Sequence, residues 1–145
     1  MYTLGSASKE EFPKLLEIWE ASVRATHRFL PEEDILLFKN IIREKELFAH
    51  VLLTVARDDQ KNILGFMGVA DGNLEMLFLH PAATGKGLGK LLTQHAIAEQ
   101  NVTKVDVNEQ NPEALAFYEH MGFKVVSRSA TDGMGKPYPI LHMQL

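Results

Sequence analysis

Apolar residues recur along this chain with two periods, and the points where the period changes mark the elements. Phe12, Leu15, Trp19 and Val23 repeat at helical intervals, with Ser8 and Glu11 at capping-box spacing ahead of them. Pro13 lies inside that start and leaves its first turn open. Ile35, Phe38 and Ile42 form a second amphipathic set, for which Pro31 fits the first helical position. Residues 51–56 and 63–70 read as two strands of a hairpin around the polar turn at 58–62. Asp71-Gly72-Asn73 then turns the chain into a nearly continuous apolar run at 74–79, of strand length. Tyr2, Thr3 and Leu4 fit a short edge strand.

His80-Pro81 ends the run at 79, because proline offers no ladder donor. Gly85, Gly87 and Gly89 follow, and residues 91–98 are helical in period and propensity. Residues 102–107 alternate as a strand. Asn111-Pro112 starts another helix, since asparagine caps and proline is pre-set for the first turn. Ala114, Leu115, Phe117, Tyr118 and Met121 supply its apolar positions, with Gly122 as a natural C′ residue. Strands at 123–127 and 140–144 flank a loop rich in turn residues. The order is β, two helices, three strands, α, β, α, two strands. Runs of neighbouring strands plus one βαβ unit predict an α/β (α+β) fold, a mixed sheet with helices on its faces.

Composition narrows the function classes. The 145 residues make one ordinary domain, 1–145, with no linker or repeat to divide it. Net charge is −4 and the basic residues are scattered, which is no nucleic-acid footprint. No apolar stretch approaches membrane-spanning length, and the N-terminus lacks a signal-peptide core. With no cysteine there is no disulfide, thiolate nucleophile or thiolate metal site, a composition that suits the cytoplasm. The six histidines are isolated, so no metal site is expected.

The glycines carry the chemistry. Three of them at alternate positions before a helix let several N–H groups point at one place, at the positive end of the helix dipole, with Lys86 and Lys90 beside it. That arrangement binds phosphate. Dinucleotide spacing is not met, because Lys90 stands where its last glycine belongs, and Thr84 stands where a nucleotide-triphosphate loop needs glycine. Thr84-Gly85-Lys86-Gly87-Leu88-Gly89 instead resembles the pyrophosphate loop of the GNAT acetyltransferases: Gln or Arg, two residues, Gly, one residue, then Gly or Ala. Both glycine places match, and Thr84 departs from the first. Asn111, Ala114, Tyr118, Gly122 and Phe123 match a second GNAT segment, N-x-x-A-x-x-(Leu or Phe)-Tyr-x-x-x-Gly-Phe. The strings A-T-H-x-F-L and G-K-P-Y-P resemble small stand-alone bacterial members, and the Asp106-to-Asn111 spacing resembles the branch that acetylates protein N-terminal amines.

The resemblance implies a sheet of about seven strands and about four helices, whose fourth and fifth strands splay to admit acetyl-coenzyme A. By it, Leu77, Phe78 and Leu79 offer main-chain groups to the pantetheine and thioester. Thr84, Gly85, Lys86, Gly87, Leu88, Gly89 and Lys90 hold the pyrophosphate, and Asn111 and Ala114 border the cofactor. Tyr118 gives the departing thiolate its proton and, two helical turns from Asn111, shares a side of the helix with it. The base stays open between Asp106 and Glu75. Trp19, His27, Phe29 and Tyr138 are the acceptor-side candidates, with a packed histidine and a surface tyrosine as plainer readings of the second and fourth. The expected partner is a small-molecule or peptide amine taken up by a monomer or homodimer. A sensor that binds acyl-coenzyme A without turnover is the alternative.

Overall fold

The computed structural model describes all 145 residues. Strands Thr3–Gly5 (β1), Leu52–Arg57 (β2), Ile63–Ala70 (β3) and Asn73–Leu79 (β4) form an antiparallel run. Lys104–Asn108 (β5), Lys124–Ser129 (β6) and Ile140–Gln144 (β7) form a second, and together they make one mixed sheet in the order β1-β2-β3-β4-β5-β7-β6. Helices Phe12–Thr26 (α1) and Glu32–Glu44 (α2) pack on one face, Leu88–Glu99 (α3) and Pro112–His120 (α4) on the other. None is long and apolar enough to cross a membrane.

The strand period sorts the two cores. Phe66 faces Leu15, Ile18 and Trp19 on one side, while its neighbour Met67 faces Leu88, Leu92 and Phe123 on the other. Burial on both faces is why β3 reads as an unbroken apolar run. The Asp71-Gly72 turn has positive φ at both positions, 51° and 76°, which matches the right-handed twist of the strands it joins.

The sheet is weakest where β4 meets β5. Only two parallel rungs join them, Asn73 with Lys104 and Leu74 with Val105. Past these, β4 stays with β3 as far as the Gly65–Leu79 pair, while β5 stays with β7 as far as Asn108–Ile140. A bulge contributes to the parting. Gly68 pairs Met76 but Val69 pairs Leu74, so Glu75 is an extra residue that bends β4. The β4 edge beyond Leu74 is therefore an internal edge with no strand beside it.

Several boundaries move from their sequence-based places. Pro31 is the N-cap of α2 rather than its first residue, and its carbonyl accepts from Asp34 and Ile35 N–H. Helix α3 begins at Leu88, three residues early, because Gly87 takes the left-handed conformation there (φ 83°). Phe123 lies before β6 as a buried plug 1% exposed. A 3₁₀ turn at Lys9–Glu11 accommodates Pro13 at the head of α1.

Glu11 also ties that turn to the sheet. It accepts the Ser8 N–H at 3.0 Å and two hydrogen bonds from Arg57 at 2.8 and 2.9 Å. Chiefly through Arg57, its carboxyl is lowered from 4.5 to about 2. A lowered carboxylate stabilises the fold above the unfolded pKa, and that contribution is lost as pH falls through the folded one. The excess stability of wild type over Arg57→Met should therefore be full above pH 4.5 and vanish near pH 2. Urea midpoints of both proteins across that range check it, and a pH-independent difference would refute the pairing.

Candidate active site

Where β4 and β5 part, they leave a cavity of about 200 Å³ between Leu77 and Phe78 on one side and Val105, Asp106, Val107 and Asn108 on the other. It borders two larger hollows. A groove of about 250 Å³ runs between the end of β4, the Thr84–Gly89 loop and the α4 residues Ala114, Phe117 and Tyr118. A pocket of about 240 Å³ lies among α1, α2 and the loop between β6 and β7, with Trp19, Phe38 and Tyr138 in its wall. His27 and Phe78 line all three. The gap thus joins one face of the sheet to the other.

The glycine loop opens on the groove. Gly85 and Gly87 have φ of 74° and 83°, which only glycine adopts without strain. The amides of Gly85, Lys86, Gly87, Leu88, Gly89 and Lys90 have no acceptor within the chain, and Leu91 is the first to find one, the Gly87 carbonyl at 3.0 Å. Leu88 itself is a core residue 1% exposed, so only its main chain reaches the groove, whereas the Lys86 and Lys90 side chains are exposed. A methyl added at Gly89 would touch Phe117 and Leu79 at an ordinary 3.6–3.7 Å, so alanine is accommodated there. Thr84 turns its hydroxyl back to donate to the Pro81 carbonyl at 2.8 Å. His80 caps the same turn, its Nδ1 accepting from Ala82 N–H at 3.1 Å.

Across the groove, Asn111 caps α4 by accepting the Ala114 N–H at 3.2 Å. Ala114 and Tyr118 follow on the side of the helix that faces the gap. The Tyr118 ring packs edge-on against Phe117 and Phe123, at 5.1 and 5.8 Å, and the residue lines both the gap and the groove. Burial pushes its pKa well above the ordinary 10, so the phenol keeps its proton.

The two carboxylates lie at the rim. Glu75 is exposed on the β4 bulge, and Asp106 sits opposite His142 in the β5–β7 register. Asp106 Oδ1 and His142 Nδ1 are 2.7 Å apart, and His142 Nε2 is 2.7 Å from Ser129 Oγ. Both carboxylates also face a polar hollow of about 420 Å³ on the uncovered part of the sheet, with Asp71 and Lys104.

The residues expected on the acceptor side are more structural than the sequence implied. Trp19 is 6% exposed and meets Phe78 edge-on at 6.4 Å. Phe29 bridges His27 and Tyr138, at 5.5 and 5.7 Å between rings. Tyr138 is no surface-turn residue: it is buried, and its hydroxyl donates to Asp34 Oδ2 on α2. Lys136 reaches the other oxygen of Asp34 at 3.0 Å. The carboxylate raises Tyr138 to about 12, which keeps it neutral, while the two donors hold Asp34 below its ordinary value. Sequence reasoning missed Asp34, Lys136 and Thr26. An acid in a first helical turn reads as a dipole partner, and only the fold brings Tyr138 to it.

With this geometry in hand, likeness to known proteins is decisive. Residues 30–137 match the family model described as an acetyltransferase (GNAT) domain. The chain belongs to the GNAT acetyltransferase family. It is 38% identical to the peptidyl-lysine N-acetyltransferase YjaB of Salmonella typhimurium over 99% of this chain and 97% of that one. The solution structure of apo-form YjaB from Escherichia coli superposes with a TM-score of 0.89 at 35% identity, covering 99% of this chain and 97% of that one. A PaiA N-acetyltransferase from Thermoplasma acidophilum, solved with coenzyme A, shares the fold at 24% identity and a TM-score of 0.77, covering 100% of this chain and 99% of that one. As a GNAT member the chain is an acetyl-coenzyme-A-dependent N-acetyltransferase. The splayed pair of strands and the seven-stranded mixed sheet are the GNAT architecture.

Proposed function

We propose that this enzyme transfers the acetyl group to the ε-amine of a lysine in a peptide or protein, by direct attack while both substrates are bound. The observation that carries the reading is the gap between β4 and β5, which connects a phosphate-type cradle on one side to a separate pocket on the other. Two reactants entering from opposite faces meet there without sharing a path, the arrangement a one-step transfer needs. The peptidyl-lysine acceptor rests on relatives that bear that name, YjaB and the YiaC of Escherichia coli, the latter 30% identical over 83% of this chain and 82% of that one.

The chain's residues fit two parts of acetyl-coenzyme A, its pyrophosphate and its amide-bearing arm. The free amides of residues 85–90, at the head of α3, suit the pyrophosphate, with Lys86 and Lys90 adding charge. Thr84 contributes shape alone, its hydroxyl being engaged with Pro81. The strandless edge at Leu77, Phe78 and Leu79 suits an extended amide-bearing arm, as an added strand would be held. Asn111 fixes the start of α4 and so the wall made by Ala114 and Tyr118. When bound, the thioester supplies an activated acetyl group. Tyr118 then stands ready to give its proton to the sulfur, and Asp106 and Glu75 are the carboxylates at hand on the rim. Trp19, Phe29 and Tyr138 shape the acceptor pocket, the last through its tie to Asp34.

Thiol release from acetyl-coenzyme A, measured with lysine peptides, polyamines and N-terminal amines, tests this. Lysine peptides should give the highest kcat/KM, with mass spectrometry placing one 42 Da addition on the ε-nitrogen. Release with polyamines alone would overturn the acceptor class. Binding without release for any amine would make the chain a sensor.

A further inference from the structure

His27 ends α1 as its C-cap, and its hydrogen bonds define which ring nitrogen carries the proton. Thr26 Oγ1 lies 2.8 Å from the Ser22 carbonyl. A carbonyl has no hydrogen to give, so the hydroxyl spends its only proton there. The same oxygen is 2.8 Å from His27 Nδ1. With no proton left on the hydroxyl, that contact requires Nδ1–H as the donor. In the neutral ring Nε2 therefore holds a bare lone pair, and it has no hydrogen-bond partner in the chain. Phe29 packs against the ring at 5.5 Å, and the ring lines the gap, the groove and the acceptor pocket at once.

We propose, on the acetyl-transfer reading above, that His27 Nε2 is the general base that takes the acceptor amine's proton. Burial supports it by lowering the pKa of His27 below 6.5, so the ring is neutral at neutral pH. The titratable and charged groups around the ring are Glu75 of β4, Asp106 of β5, Glu113 and Tyr118 of α4, and Asp132 and Tyr138 of the β6–β7 loop, with Arg24 and Arg28 beside it in sequence. Asp106, one of the two carboxylates on the rim of the gap, is bonded to His142 with its side chain 49% exposed.

The protons balance. The lysine ammonium first loses one proton to solvent. The amine lone pair then forms the C–N bond to the thioester carbonyl carbon as the carbonyl π pair moves onto oxygen, and the nitrogen becomes strongly acidic as its own pair is committed. A neutral imidazole is basic enough at that stage, and Nε2 accepts the proton while Nδ1–H stays on Thr26. The oxygen pair re-forms the C=O bond as the C–S bond breaks with its electron pair on sulfur, which takes the Tyr118 proton. His27 returns its proton to solvent, Tyr118 regains one, and the products are the amide and the free thiol.

The pH dependence of kcat/KM for a lysine peptide tests this, with His27→Asn, whose amide can still donate to Thr26. In wild type, log kcat/KM should rise with slope two below the His27 pKa, where base and amine both deprotonate, and slope one above it. His27→Asn should lose about 10²-fold, the lower end of a positioned base's worth, and keep slope one throughout. Its affinity for coenzyme A and its thermal midpoint should stay near wild type. A two-slope profile in His27→Asn, or a loss under threefold, overturns the proposal and leaves the acetyl-transfer reading standing. Wild type that acetylates no amine overturns that reading and this proposal with it. Nitrogen-15 chemical shifts of the wild-type ring need no folded variant: protonated Nδ1 and bare Nε2 support the assignment, and the reverse tautomer overturns it.

Discussion

Tyr118→Phe should lower kcat by about 10²- to 10⁴-fold, roughly 3–5 kcal/mol of barrier, while the KM for acetyl-coenzyme A changes little. The change deletes one hydroxyl at the edge of the gap and groove and leaves the aromatic ring in place. The ring keeps its contacts with Phe117 and Phe123. Stability should accordingly hold, which isolates the chemical effect. Burial disfavours a thiolate in the gap as it disfavours a phenolate, so proton transfer between them is not hindered by the raised Tyr118 pKa alone. Single-turnover thiol release is the measurement, because it excludes product departure. The acid limb of the pH profile, set by the amine and its base, should remain. A variant with near-full turnover, under conditions where chemistry limits the rate, would show that water protonates the sulfur and that Tyr118 only packs.

Gly87→Val should weaken coenzyme A binding by about 10²-fold with little loss of global stability. Space is not the obstacle, since a Cβ at Gly87 meets nothing within 4 Å. The backbone is. At φ 83° a β-branched residue is strained by roughly 1–2 kcal/mol, and the loop relieves that strain by leaving the left-handed conformation. The amides of residues 85–90 would then no longer converge, and each charge-assisted bond forfeited costs about 1.5–3 kcal/mol. Gly89→Ala is the contrast: its φ is not positive and its methyl finds ordinary contacts, so affinity should stay within about threefold. Calorimetric titration of both variants with coenzyme A decides it. Equal affinities for wild type and Gly87→Val would remove the loop from the cofactor site.

Much of this was legible along the chain because it depends on residues a few places apart. A helical or strand period needs only neighbours at two, three or four residues, and Asn111-Pro112 caps α4 through the Ala114 amide three residues on. The glycine loop is likewise local: its conformation and its free amides follow from where glycines stand before a helix. The order of elements predicted a mixed sheet with helices on its faces, and the GNAT resemblance rested on two local motifs, the Thr84–Gly89 loop and the Asn111–Phe123 segment.

The parts that only the tertiary structure decided are those joining distant residues. Tyr138 meets Asp34 across 104 positions, and Asp106 meets His142 across 36, because the strand order places β7 beside β5 and brings the last loop onto α2. The opening of the sheet rests on β4 and β5 each pairing more extensively with an antiparallel neighbour than with the other, together with one extra residue at Glu75. The sequence shows Thr26 and His27 side by side and says nothing of what their side chains touch. Which proton lies on which nitrogen follows from a hydroxyl folded back to Ser22, and which cavities the ring lines follows from packing α1 over a divided sheet. Those are properties of summed, non-local contacts, and no local pattern encodes them.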